Sequence, residues 1–109
     1  MNAAIVERGV PGFVWGESSI FHVKLGERAS NQSGGDMRAP EGVSAEALKT
    51  SGQSRHNALL HLGMLIEGVE LFNGGGMLGT AHTPDDIDQT IAAFGRVLDR
   101  MVAEGAFDA

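Results

Sequence analysis

The sequence predicts an α+β fold: a small antiparallel or mixed sheet of three or four strands with two long helices packed on one face. Three observations carry this. The run "IFHVKL" alternates apolar and other residues with a period of two, as a half-buried strand does. The stretches "RHNALLHLGMLIEGV" and "TPDDIDQTIAAFGRVLDRM" repeat apolar residues at helical spacing. Sixteen glycines in 109 residues, against a usual share of about 7%, mark many tight corners between such elements.

In chain order, Ala3 to Arg8 favour helix, Gly9 suits the left-handed position after its end, and Val10 can fold back on Ile5. Pro11 prevents continuation. Met1 to Arg8 reads as the last turns of a longer helix, because so short a helix is unstable alone. "FVWGESSIFHVKLG" then suggests two strand segments bridged around Gly16 to Ser19, the first short, over Phe13 to Trp15. In the second, Phe21, Val23 and Leu25 face one side while Ile20, His22 and Lys24 face the other.

Residues 26–54 turn polar and read as a flexible loop, inside which Ser44 offers an N-cap to a short helix over Ala45 to Lys49. The helix that follows places Ala58, Leu59, Leu62, Leu65, Ile66 and Val69 on one stripe, expected to be buried. Gly68 ends it and Val69 packs back on Met64, repeating the Gly-Val device of Gly9 and Val10. "ELFNGGGMLGTA" is one strand or two pieces hinged on Gly74, Gly75 and Gly76. Thr83 then caps the last helix, with Pro84 in its first position and Asp86 closing a reciprocal cap. Its expected buried stripe is Ile87, Ile91, Phe94, Leu98 and Met101, with Val97 and Val102 at the edges.

Length and composition narrow the function. One domain accommodates residues 1–109, and 42% hydrophobic residues support a core. A net charge of −6 repels a phosphate backbone, which argues against nucleic acid as a partner. The chain has no cysteine, hence no disulfide framework and no thiolate metal site. With no apolar run near ~20 residues and no secretory leader pattern, a cytoplasmic protein without a membrane partner is expected.

Few residues look chemical. His56 and His61 are five apart and point to different faces of a helix, His22 lies on a distant strand, and no metal site is expected. Gly74 to Gly76 lead into a strand and lack the Gly-Lys-Ser/Thr ending of a phosphate-binding loop, so a close backbone approach is the better reading. Ser18 and Ser19 near His22 have no nucleophile elbow around them. His82, just before the last helix, suits a structural bond to the turn better than a ligand role. Lys24 and Lys49 are the only lysines, and neither lies in an apolar stretch that would lower its pKa.

The segment "MLIEGVELFNGGGMLGTAHTPDDIDQTIAAFGRVL" resembles the C-terminal end of class III pyridoxal-phosphate aminotransferases, in particular the glutamate-1-semialdehyde aminomutase branch. The resemblance rests on Gly68-Val69, Met77 to Thr80, Ala81-His82-Thr83, Asp85-Asp86 and Ile87-Asp88. "GVPGFVWGESSIFHVKLG" is similar to the strand pair that precedes that segment in the family. The resemblance implies a small C-terminal domain whose partner is a large domain of the same polypeptide, in an enzyme that works as a homo-oligomer. It implies pyridoxal phosphate as cofactor of that whole enzyme, with the imine-forming lysine and most phosphate contacts outside this chain. Neither Lys24 nor Lys49 is then catalytic, the chain alone is inactive, and no cofactor binds it. Asn73, Gly74 and His82 become the substrate-proximal candidates. The segment from Val69 to Gly76 is shorter than in typical aminomutases. Neither Asn73 nor Gly74 can supply the bidentate arginine grip on a carboxylate that many class III aminotransferases use, so substrate and amino donor stay open. The alternative is a stand-alone, non-enzymatic module that self-associates.

Overall fold

The computed structural model of the chain describes residues 1–17, 19–28, 42–49, 54–72 and 75–108. Its elements are α1 (Asn2–Glu7), β1 (Gly12–Glu17), β2 (Ile20–Leu25), α2 (Ala45–Lys49), α3 (Arg55–Ile66), β3 (Gly75–Met77) and α4 (Pro84–Ala103). The strands form one antiparallel sheet in the order β1-β2-β3, and α3 and α4 pack together beside it. This is the expected α+β architecture. Of the 26–54 loop, the described residues include the short helix α2, whose Ala47 N–H donates to Ser44 Oγ at 3.1 Å.

β1 and β2 pair from Gly12↔Leu25 to Glu17↔Ile20, so β1 is longer than the three residues the sequence suggested. The pairing places Val14 beside Val23, and with Phe21 and Leu25 these residues pack against the helices. Phe13 is fully buried on the other face of the sheet, its ring 5.5 Å from Trp15, which in turn stacks on His22 at 5.0 Å. The main core consists of Ile5 and Val10 from the α1 region, Val23 and Leu25 from β2, Leu60 and Met64 from α3, Leu71, and Ala93, Phe94, Val97, Leu98 and Met101 from α4.

Helix ends follow local chemistry closely. Gly9 and Gly68 sit at φ +64° and +88°, a region open to glycine at little steric cost. The next amides reach back five residues, Val10 N–H to Ile5 O at 3.2 Å and Val69 N–H to Met64 O at 2.8 Å. α4 closes in the same way, Ala106 N–H donating to Met101 O at 2.9 Å. At its start, Asp86 N–H donates to Thr83 Oγ1 (3.2 Å) and Thr83 N–H to Asp86 Oδ2 (2.9 Å), with Pro84 in the first turn.

Two expected stripes are corrected. In α3 the buried residues are Asn57, Leu60 and Met64, whereas Ala58, Leu62, Leu65 and Ile66 are exposed and Leu59 and Val69 half-buried. The rotation is set by polar and steric anchors. Asn57 Nδ2 donates to Val23 O (2.6 Å) and its Oδ1 accepts from Leu25 N–H (3.0 Å), tying that face to β2. Gly63 faces α4 so closely that a Cβ would lie 2.6 Å from Val97 Cγ1. Apolar residues occur around most of the α3 circumference, so periodicity alone did not single out the inner face. In α4, Phe94, Leu98 and Met101 are buried as expected and Val97 joins them fully, but Ile87 and Ile91 are exposed. Those two residues instead stand on the wall of a groove shared with β3.

Candidate functional site

The groove lies where β3, the preceding segment 69–72 and the first three turns of α4 meet, and it encloses about 350 Å3. That volume falls in the range of small-molecule sites. Phe21, Leu71, Phe72, Met77, Ile87 and Ile91 supply apolar wall, and Glu70, His82, Asp86 and Thr90 supply the polar groups. Met1 also lines it, and partial burial holds its amine below the ordinary value.

His82, Asp86 and Thr90 are fixed at the corner between β3 and α4. His82 N–H donates to Gly79 O at 3.0 Å, and Gly79 N–H donates back to His82 Nδ1 at 2.8 Å. Nδ1 must therefore carry a lone pair, so in the neutral ring the proton sits on Nε2. The imidazole clasps its own turn, as the sequence suggested, and also borders the groove. The Thr83 backbone N–H, then its hydroxyl, hold the Asp86 carboxyl below its ordinary pKa, with His82 adding a smaller pull. Thr90 Oγ1 donates to Asp86 O at 2.8 Å, which leaves the hydroxyl oxygen able to accept.

Of the three substrate-proximal candidates, His82 is placed on the groove, while Asn73 and Gly74 lie outside the described residues. The glycine run behaves as a close-approach device: a Cβ on Gly75 would meet Phe21 O, and one on Gly76 would lie 2.7 Å from Phe21 Cε1. The antiparallel pairs Phe21↔Gly76 and His22↔Gly75 depend on this clearance.

The groove is a poor match for pyridoxal phosphate. Among the described residues no lysine or arginine lines it, and Glu70 and Asp86 oppose a phosphate dianion. Lys24 pairs with Glu27 at 3.8 Å on the sheet face away from the helices, and Lys49 is exposed on α2. Among the described residues no three His, Asp or Glu side chains converge as a metal site would require. The remaining histidines have local surroundings: His22 stacks on Trp15, and His56 Nε2–H donates to Ala106 O (2.9 Å) while its ring stacks on Phe107. His61 Nε2 is buried without a hydrogen-bond partner among the described residues.

Sequence reading missed the groove itself. Its walls come from residues distant in sequence, and the one available signal, Ile87 and Ile91 at helical spacing, pointed equally to core. No protein-family model matches the chain, and no curated protein matches it. No helix among the described residues is long and apolar enough to cross a membrane.

Proposed function

We propose that this chain is the C-terminal small domain of a class III pyridoxal-phosphate aminotransferase of the glutamate-1-semialdehyde aminomutase-like branch, and that its groove face covers a cofactor site belonging to the large domain. The carrying observation is that described residues of the segment with the resemblance, Val69 to Phe72, Gly76 to Leu78, His82 and the start of α4, line one apolar groove with a fixed donor at its rim. An apolar cover that excludes water strengthens the electrostatic interactions beneath it. His82, with its proton on Nε2, offers a hydrogen bond to a substrate oxygen. The acidic rim of the groove supports a cover and not a phosphate cradle, so amino-group transfer is assigned to groups outside this chain, and the chain alone is inactive.

Two measurements test the proposal. Sequencing the reading frame before the Met1 codon should show a continuous large domain with an internal lysine suited to imine formation; an in-frame stop directly before Met1 overturns the assignment. Added to the purified 109-residue chain, pyridoxal phosphate should give no site-specific imine absorbance. A borohydride-reducible adduct confined to Lys24 or Lys49 would contradict the covering role.

A further inference from the structure

We infer that the open edge of β3 takes an extended peptide strand, with aliphatic side chains that enter the groove and basic residues at its ends. β3 turns one edge to β2: Gly76 pairs with Phe21, and Leu78 N–H donates to Ser19 O at 2.6 Å. The alternation of an antiparallel ladder turns the main-chain groups of Gly75 and Met77 to the other edge. There Gly75 and Phe72 exchange two bonds, Phe72 N–H to Gly75 O at 2.8 Å and Gly75 N–H to Phe72 O at 3.0 Å. The next rung of that hairpin is Glu70 with Met77, and it is not made. Phe72↔Gly75 is an isolated bridge, and among the described residues neither Glu70 nor Met77 has a main-chain hydrogen bond. The two arms part after one rung, and both line the groove.

Main chain, wall and charge each select the occupant. Met77 is 60% exposed, and its N–H and C=O are met together by one peptide residue in antiparallel pairing. A helix satisfies its own backbone and leaves both groups unmet. Met77 pairs with Ile20 on the sheet face away from the helices, whereas Gly76 pairs with Phe21 on the helix face. The peptide residues on either side of the one opposite Met77 therefore put their side chains on the helix face. Phe21, Ile87 and Ile91 form apolar wall there, which aliphatic side chains match without stranding a polar group. Glu70 and Asp86 stand on the same groove, where the other ionisable groups among the described residues are the Met1 amine and His82. Lysines at the peptide ends meet complementary charge, and acidic ends are repelled. This strand site belongs to the isolated chain and does not rest on the aminotransferase reading, which the reading frame before Met1 tests separately.

Titrating acetyl-Lys-Leu-Thr-Leu-Lys-amide into the isotope-labelled 109-residue chain tests the pairing, with the threonine set opposite Met77. The largest amide shifts should fall on Met77 and its neighbours in β3, and hydrogen exchange at Met77 should slow. Methylating the threonine nitrogen removes the donor to Met77 O and should weaken binding by about tenfold or more. Met77→Pro removes an outward amide and leaves the bonds to β2, so it should abolish the shifts with circular dichroism unchanged. Ile91→Ser should weaken binding by about tenfold through lost apolar contact. Glu70→Gln should weaken the lysine-ended peptide by roughly threefold and leave a serine-ended one unaffected. The proposal is overturned if the peptide gives no shifts at about millimolar concentration, or if the N-methylated or a glutamate-ended peptide binds as tightly. It is overturned equally if hexylammonium alone reproduces the Met77 shifts, which marks an amine pocket, or if raising the protein concentration alone does, which marks a second copy on the edge.

Discussion

Asn57 does for β2 what another strand would do. Among the described residues β3 pairs with Ile20 to His22, and the Val23 carbonyl and the Leu25 amide beyond them are met by the buried Asn57 amide. Asn2 makes the same paired contact on β1, donating to Val14 O at 2.9 Å and accepting from Val14 N–H at 2.8 Å. A carboxamide is suited to this because it carries one donor and one acceptor side by side, as the backbone does. Asn57→Leu should therefore cost about 2–4 kcal/mol in urea unfolding, since it strands two buried backbone groups; a loss below about 1 kcal/mol would mean that water replaces the amide. Carboxylates make a second prediction at this scale. The Thr83 hydrogen bonds lower the Asp86 pKa, and hydrogen bonding to Arg8 (Nε–Oδ1, 2.7 Å) lowers that of Asp99. A group whose pKa is depressed on folding adds stability above its unfolded value and loses it as pH falls through the folded value. Melting temperature should thus fall below about pH 4, the ordinary aspartate range, and the Asp86→Asn, Asp99→Asn double variant should show a flatter acid limb. An unchanged slope would show that other carboxylates control acid unfolding.

At the scale of elements, what was legible in the sequence was local chemistry. Thr83, Pro84 and Asp86 define the start of α4 within four residues, and Gly9-Val10 and Gly68-Val69 stop their helices through bonds spanning one turn. The period of two in β2 also held, with Val23 and Leu25 buried and His22 exposed. The inner face of α3 was not legible, because Leu59, Leu62, Leu65 and Ile66 match the pattern of a buried stripe as well as Leu60 and Met64 do. The choice depends on Asn57 reaching β2 and on Gly63 meeting Val97, both contacts between distant segments. Gly63 supplies a decisive test. Alanine there would raise helix propensity by about 1 kcal/mol, yet its Cβ would lie 2.6 Å from Val97 Cγ1 in a filled interface. Overpacking of about 1–3 kcal/mol should offset or exceed that gain, so Gly63→Ala should be neutral to destabilising. Val97→Ala alone removes buried methyls and destabilises. In the double variant the new methyl occupies the vacated space, and the cycle should show a favourable coupling of about 1 kcal/mol. Simple additivity would mean that α3 and α4 are not pressed together at Gly63.

Across the whole molecule, α4 serves two environments. Its later turns complete the core through Phe94, Val97, Leu98 and Met101, while its first turns hold Ile87 and Ile91 against a groove that the short β3 does not fill. The groove was illegible in the sequence because helical spacing is continuous from Ile87 to Met101, whereas burial stops where contacts with distant segments stop. The division can be measured. Leu98 is fully buried, so Leu98→Ala should cost about 2–5 kcal/mol, the lost transfer energy plus the cavity. Ile91 is 39% exposed, and isoleucine and serine have similar helix propensity. Ile91→Ser should therefore change stability by no more than about 1 kcal/mol, and the difference from Leu98→Ala reports burial, not helix formation. If Ile91→Ser were as costly as Leu98→Ala in the isolated chain, the groove would be closed in solution, and a covering role for this face would fail with it. If it is cheap, the isoleucine is retained for something that lies outside the core, and Ile91→Ser should instead weaken whatever contact the groove makes.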